Sequence, residues 1–136
     1  MAGNQFPRAR RLKRRRLIRP LFDRNQGDVG FVHVGVVQIR YRVVSRSDVG
    51  ADVPVQIGFA PGNRMRTKVV RNRVRRVMRD VFRHQQHGLM NLLNQRSDCL
   101  TMMVLFRGKE DTATGDLRRD FPEALKRLEE RLSDTP

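Results

Sequence analysis

Residues 67–86 read TKVVRNRVRRVMRDVFRHQQ, and the chain on either side is parsed around this stretch. At about 100° per residue, Val70, Val74, Val77, Met78 and Val81 fall on one arc. The spacing predicts a helix with one buried face, capped by Thr67 and running to about Gln86. Arg64, Lys68, Arg71, Arg75, Arg76 and Arg83 gather on the far side, and Arg66 and Arg73 lie on the other border of the stripe. Arg71, Arg75 and Arg79 stack at i, i+4, a mildly destabilising arrangement of like charges that a bound anion would relieve. Arginine rather than lysine dominates, and its planar fork grips phosphate with two hydrogen bonds. Without such a partner the same face is simply a solvated basic surface.

The neighbouring segments alternate with period two. Val36–Val44 puts Val37, Ile39, Tyr41 and Val43 on one face and Gln38, Arg40 and Arg42 on the other, which predicts a half-buried strand. Val53–Phe59 predicts a second strand, with Pro54 at its start or on an edge, and Phe31–Val34 a short third. Residues 45–52 read as a polar loop, and Pro61-Gly62-Asn63 as a turn. Upstream, Leu17, Ile18, Leu21 and Phe22 predict a helix over residues 12–25 that Pro20 starts or kinks. Downstream, Leu89, Leu92 and Leu93 predict a further helical turn past Gly88. Cys99–Phe106 is a nearly continuous apolar run, as in a buried central strand. Thr112 and Thr114 are candidate caps for a last helix with Leu117, Phe121, Leu125, Leu128 and Leu132 inward and Pro122 inside it. The order is αβββαβα, an α+β two-layer sandwich with a small mixed sheet and helices packed on one face. Residues 1–11 read as a basic tail that need not be ordered, and residues 12–136 as a single domain.

Of 136 residues, 29 are Lys or Arg and 14 Asp or Glu, a net charge of +15. Residues 1–107 carry a net +17 and residues 108–136 a net −2, so the last helix stands apart from the basic surface. A domain this basic points to a polyanion rather than to a small-molecule enzyme working alone. Cys99 is the single cysteine, which excludes an internal disulfide. No apolar run is long enough to span a membrane, and no secretory apolar region follows the amino-terminal arginines. A cytoplasmic location is expected. His84 and His87 share a helix face at i, i+3 but lack a third ligand nearby, so no metal site is assigned. No Ser-His-Asp set, carboxylate pair or Gly-rich phosphate loop is visible, so no catalytic residue is assigned either.

The run Val69-Val70-Arg71-Asn72-Arg73-Val74-Arg75-Arg76, preceded at the matching spacing by Gly58-Phe59, resembles the Arg-Asn-Arg signature of the bacterial ribonuclease P protein family. Leu12, Leu17-Ile18 and Leu21-Phe22 are similar to that family's first helix, and the element order matches over about residues 12–132. The resemblance implies a left-handed β-α-β crossover, against the usual rule. It implies a protein subunit that binds a catalytic RNA and the single-stranded 5′ leader of precursor tRNA, promoting endonucleolytic removal of the leader in tRNA processing. The hydrolysis would belong to the RNA with Mg2+ held mainly through it, and no protein partner would be required. Arg71, Asn72, Arg73, Arg75 and Arg76 carry over as RNA contacts, with Arg64 and Lys68 beside them. Ile18, Phe22 and Tyr41 carry over as lining of the leader cleft. Ala60-Pro61-Gly62-Asn63 departs from the small polar and lysine residues usual there, and Ile18 from the common aromatic. The alternative is a structural RNA-binding protein, such as a ribosomal protein or RNA chaperone, with no part in cleavage.

Overall fold

The computed structural model describes residues 8–62 and 65–134. Along the chain lie α1 (Arg15–Ile18), β1 (Gly30–Val34), β2 (Val37–Ser45), α2 (Arg46–Val49) and β3 (Val55–Ala60). Then come α3 (Lys68–Gln85), α4 (His87–Asn94), β4 (Asp98–Phe106) and α5 (Ala113–Ser133). Short 3-10 turns occupy Arg8–Arg10, Arg19–Phe22 and Glu110–Thr112.

The four strands form one mixed sheet in the order β1-β2-β4-β3. β4 sits inside it, antiparallel to β2 and parallel to β3, as its unbroken apolar run requires. β3 and β4 are parallel neighbours, so α3 and α4 carry the chain back between them. Val37 and Ile39 of β2, Val55 and Ile57 of β3, and Leu100, Met102 and Val104 of β4 face one way. Over them pack Val74, Met78, Val81 and Phe82 of α3, Leu89 and Leu93 of α4, and Leu117, Phe121, Leu125 and Leu128 of α5. Phe82 joins the inward stripe that the valines define. Its ring lies 6.1 Å from that of Phe59, edge-on, and 6.5 Å from that of Phe121. Fully burying each such side chain stabilises the fold by roughly 1.5–3 kcal/mol.

The opposite face carries a smaller cluster, in which Leu12, Leu17 and Leu21 cover Val44, Val49 and Cys99. The three long helices thus share one face, and the amino-terminal segment crosses the other. The helix expected over residues 12–25 is one α turn and one 3-10 turn. Pro20 stands in the first turn of the latter, where its missing N–H costs no helical bond. The polar loop at residues 45–52 contains α2. The Ser45 hydroxyl accepts from the Asp48 N–H at 3.2 Å, and Gly50 at φ 77° ends the turn. β3 begins one residue after Pro54, which cannot donate to the ladder. α5 runs through Pro122 unbroken. Thr112 precedes α5 without capping it, since its hydroxyl donates to Asp116 Oδ2 at 2.7 Å.

The tight β1–β2 hairpin is pinned from below. Gly35 has φ 54°, and a Cβ there would strike the Asp120 carboxylate. Asp120 Oδ2 accepts the Val36 N–H at 3.0 Å. Residues 8–12 lie along the free edge of β3. Arg11 bridges Ile57, the Leu12 N–H donates to the Ile57 carbonyl at 3.0 Å, and Gln56 Nε2 donates to the Ala9 carbonyl at 2.8 Å.

Candidate nucleic-acid interface

α3 begins where Thr67 Oγ1 accepts the Val70 N–H at 3.2 Å. Burial of Val74, Met78, Val81 and Phe82 then fixes the rotation of the helix. That rotation sends Arg71, Arg75 and Arg79 to the edge beside β3. There they wall a groove of about 700 Å³. Its floor is Gly58 and Ala60 of β3 with Met103 and Leu105 of β4, and its opposite wall is Arg11-Leu12-Lys13. Arg107 closes one end. Six cationic side chains therefore converge on one groove, and no acidic side chain lines it among the described residues.

The groove is held open by backbone as much as by side chains. A Cβ on Gly58 would sit 2.7 Å from Met103 Cε, so a side chain there would have to push the flexible end of Met103 aside. Gly62 turns the chain at φ 96° beside the groove. Arg75 is fixed at the rim: its Nε donates to the Phe59 carbonyl at 3.3 Å and its Nη1 to Asn72 Oδ1 at 3.1 Å. The Arg79 guanidinium is held below the usual arginine range, by partial burial first and then by the positive charges of Arg11 and Arg75.

The Arg-Asn-Arg triplet therefore divides. Arg71 faces the groove and Asn72 orients Arg75. Arg73, about 200° further round the helix, is exposed outside the groove. Lys68 and Arg76 are also exposed outside it. Arg64 lies outside the described residues. Arg66 is 87% exposed and stands 3.8 Å from Glu110. On the α5 side of the helix, Asp80 pairs with Arg83 at 2.8 Å and lies 4.0 Å from Arg118 of α5.

Ile18, Phe22 and Tyr41 do not come together. Ile18 packs on the smaller cluster, and Phe22, 42% exposed, lies on the same side of the sheet. Tyr41 follows the period of Val37 and Ile39 onto the helix-covered face, where its ring lies over Gly30 of β1. The residue that meets Phe22 is Arg40, whose guanidinium carbon is 4.9 Å from the Phe22 ring centre and 5.1 Å from that of Phe31. Phe31, Arg40, Met103 and Gly58 are successive cross-strand partners, so Phe31 and the groove floor share one row across the sheet, and Phe22 meets that row at Arg40. The alternation of Gln38, Arg40 and Arg42 against Tyr41 already carried that signal. Arg79 was marked by its i, i+4 stack with Arg71 and Arg75, whereas Arg11, Lys13 and Arg107 needed the tertiary fold to be found.

His84 Nδ1 lies 2.8 Å from the Asp80 carbonyl, and the described residues contain no group of three or more His, Cys, Asp or Glu able to hold a metal ion. A cationic groove is the wrong donor set for a divalent cation. Cys99 is buried, and burial pushes its thiol up to about 11, away from reactive thiolate. Among the described residues no helix is long and apolar enough to cross a membrane. No curated protein and no solved structure matches the chain. The family model described as Ribonuclease P matches residues 6–129.

Proposed function

The chain belongs to the ribonuclease P family, and from that premise we propose that its six-cation groove and the outer face of α3 hold two different stretches of RNA. Arg73, Arg76 and Lys68 are exposed and do not line the groove, a placement suited to the broad surface of a folded catalytic RNA. The groove is suited to an extended single strand, the 5′ leader of precursor tRNA. Arg11, Lys13, Arg71, Arg75, Arg79 and Arg107 would meet its phosphates, and glycine and alanine on the floor let its backbone approach. Where the strand leaves the groove along the sheet, Phe22 and Phe31 offer ring faces for a base. The observation that carries this reading is the convergence of six cations, without an opposing acid among the described residues, on a groove floored by Gly58, Ala60, Met103 and Leu105.

On this reading the protein gives affinity and position, and the RNA carries out the hydrolysis with Mg2+ bound mainly to RNA. No step is routed through a protein-held metal. The work would take place in the cytoplasm, where tRNA is matured, and would need no second protein. Reconstitution tests it. A bacterial ribonuclease P RNA at low magnesium should cleave precursor tRNA at the leader junction when this protein is added. RNA binding without stimulation of cleavage would favour a structural RNA-binding protein instead.

A further inference from the structure

The two long walls of the groove carry the same charge but are unequally anchored. α3 is fixed by four buried side chains. Residues 8–12 hang on the edge of β3 by the Leu12 and Gln56 hydrogen bonds and the one bridge at Arg11, with Leu12 as their apolar anchor. Arg11 Nε is shut off from solvent and has no hydrogen-bond partner among the described residues, a cost that is relieved only when the segment shifts and brings the Nε–H within reach of an acceptor. Across the groove, Arg79 already feels the charge of Arg11. Repulsion between the walls thus works against the few bonds that seat the weaker one.

We infer that residues 8–12 form a latch that a phosphodiester closes, seated between Arg11 and Arg79 and accepting from the unfilled Arg11 Nε. The anion removes the repulsion and supplies the missing acceptor, so the segment docks more firmly on β3 when the groove is filled. Linkage makes the effect reciprocal: whatever the anion gains from a docked segment, the segment gains from the anion. The latch rests on the groove being an RNA site, but adds that occupancy reorganises its amino-terminal wall.

The test is backbone hydrogen exchange of the full chain, free and saturated with a single-stranded RNA of about ten nucleotides. The Leu12 amide, bonded to the Ile57 carbonyl, reports the latch. The Val36 amide, bonded to Asp120, reports the remainder of the fold. Leu12 exchange should slow by about tenfold more than Val36 exchange. Arg79→Gln, which removes one of the six groove cations, should bind the RNA more weakly in a direct titration and, at saturating RNA, should lose the extra protection at Leu12. Equal slowing of both amides, or extra protection that survives in Arg79→Gln, overturns the latch while leaving the groove as an RNA site. No binding by the unsubstituted chain overturns both.

Discussion

Asn72 engages Arg75 with its side-chain oxygen, and Arg75 is tied a second time to the Phe59 carbonyl. Two donors are fixed, and the rest of the guanidinium points one way. Arg75→Ala should therefore weaken RNA binding and lower the slope of log affinity against log salt by about one unit. Asn72→Ala should weaken binding with the slope unchanged, because the charge stays and only its orientation is lost. Titrations at several salt concentrations separate the two, and an unchanged slope in Arg75→Ala would mean that its charge meets no phosphate. Phe22→Ala should cost about 1–3 kcal/mol of affinity for single-stranded RNA if a base stacks there. Tyr41→Ala should instead lower the melting temperature, since that ring belongs to the helix-covered face.

Among elements, α3 was the most legible. Its valine period, its cap at Thr67 and the border position of Arg73 can be read without coordinates, because a helix buries whatever its period lines up. Thr67→Ala should cost about 1 kcal/mol of stability, measurable by denaturant titration. The amino-terminal segment was legible only in part. Leu17 and Leu21 gave its apolar side, but Pro20 divides it into an α and a 3-10 turn, and nothing local shows that it crosses the other face of the sheet. The hairpin pin was invisible, since Asp120 is 84 residues from Val36. Its pH behaviour follows from its partners. The Arg119 hydrogen bond, then the Val36 N–H, hold the Asp120 carboxyl below the usual carboxylate range, with burial opposing them. A carboxyl depressed in the folded state gives stability present above the unfolded pKa, about 3.9, and lost as pH falls through the folded value. Asp120→Asn should flatten the acid limb of a stability profile below about pH 4. An unchanged limb would show that other carboxylates set it.

Across the whole molecule, the order of elements, the central position of β4 and the separation of a basic body from a milder last helix follow from the residues in sequence. What could not follow is which strand face each helix takes, because period two divides a strand into two faces without saying which is covered. That is why Tyr41, grouped with Phe22 by resemblance, stands on the other side of the sheet. Phe121, packed beside Phe82 and fully buried, belongs to that shared core. Phe121→Ala should cost about 3–5 kcal/mol and lower the melting temperature without changing the salt slope of whatever protein remains folded. The sheet also sets the shape of the electric field. Residues 108–136 carry a net −2, and α5 within them packs on the face opposite the groove floor. The protein's charge is therefore lopsided, with six cations at the groove and α5, which carries five acidic and five basic side chains, across the sheet from them. A polyanion diffusing nearby would exert a torque on the protein, so that most first collisions occur groove-first. Added salt should then slow association much more than it hastens dissociation, a difference that stopped-flow mixing reads directly.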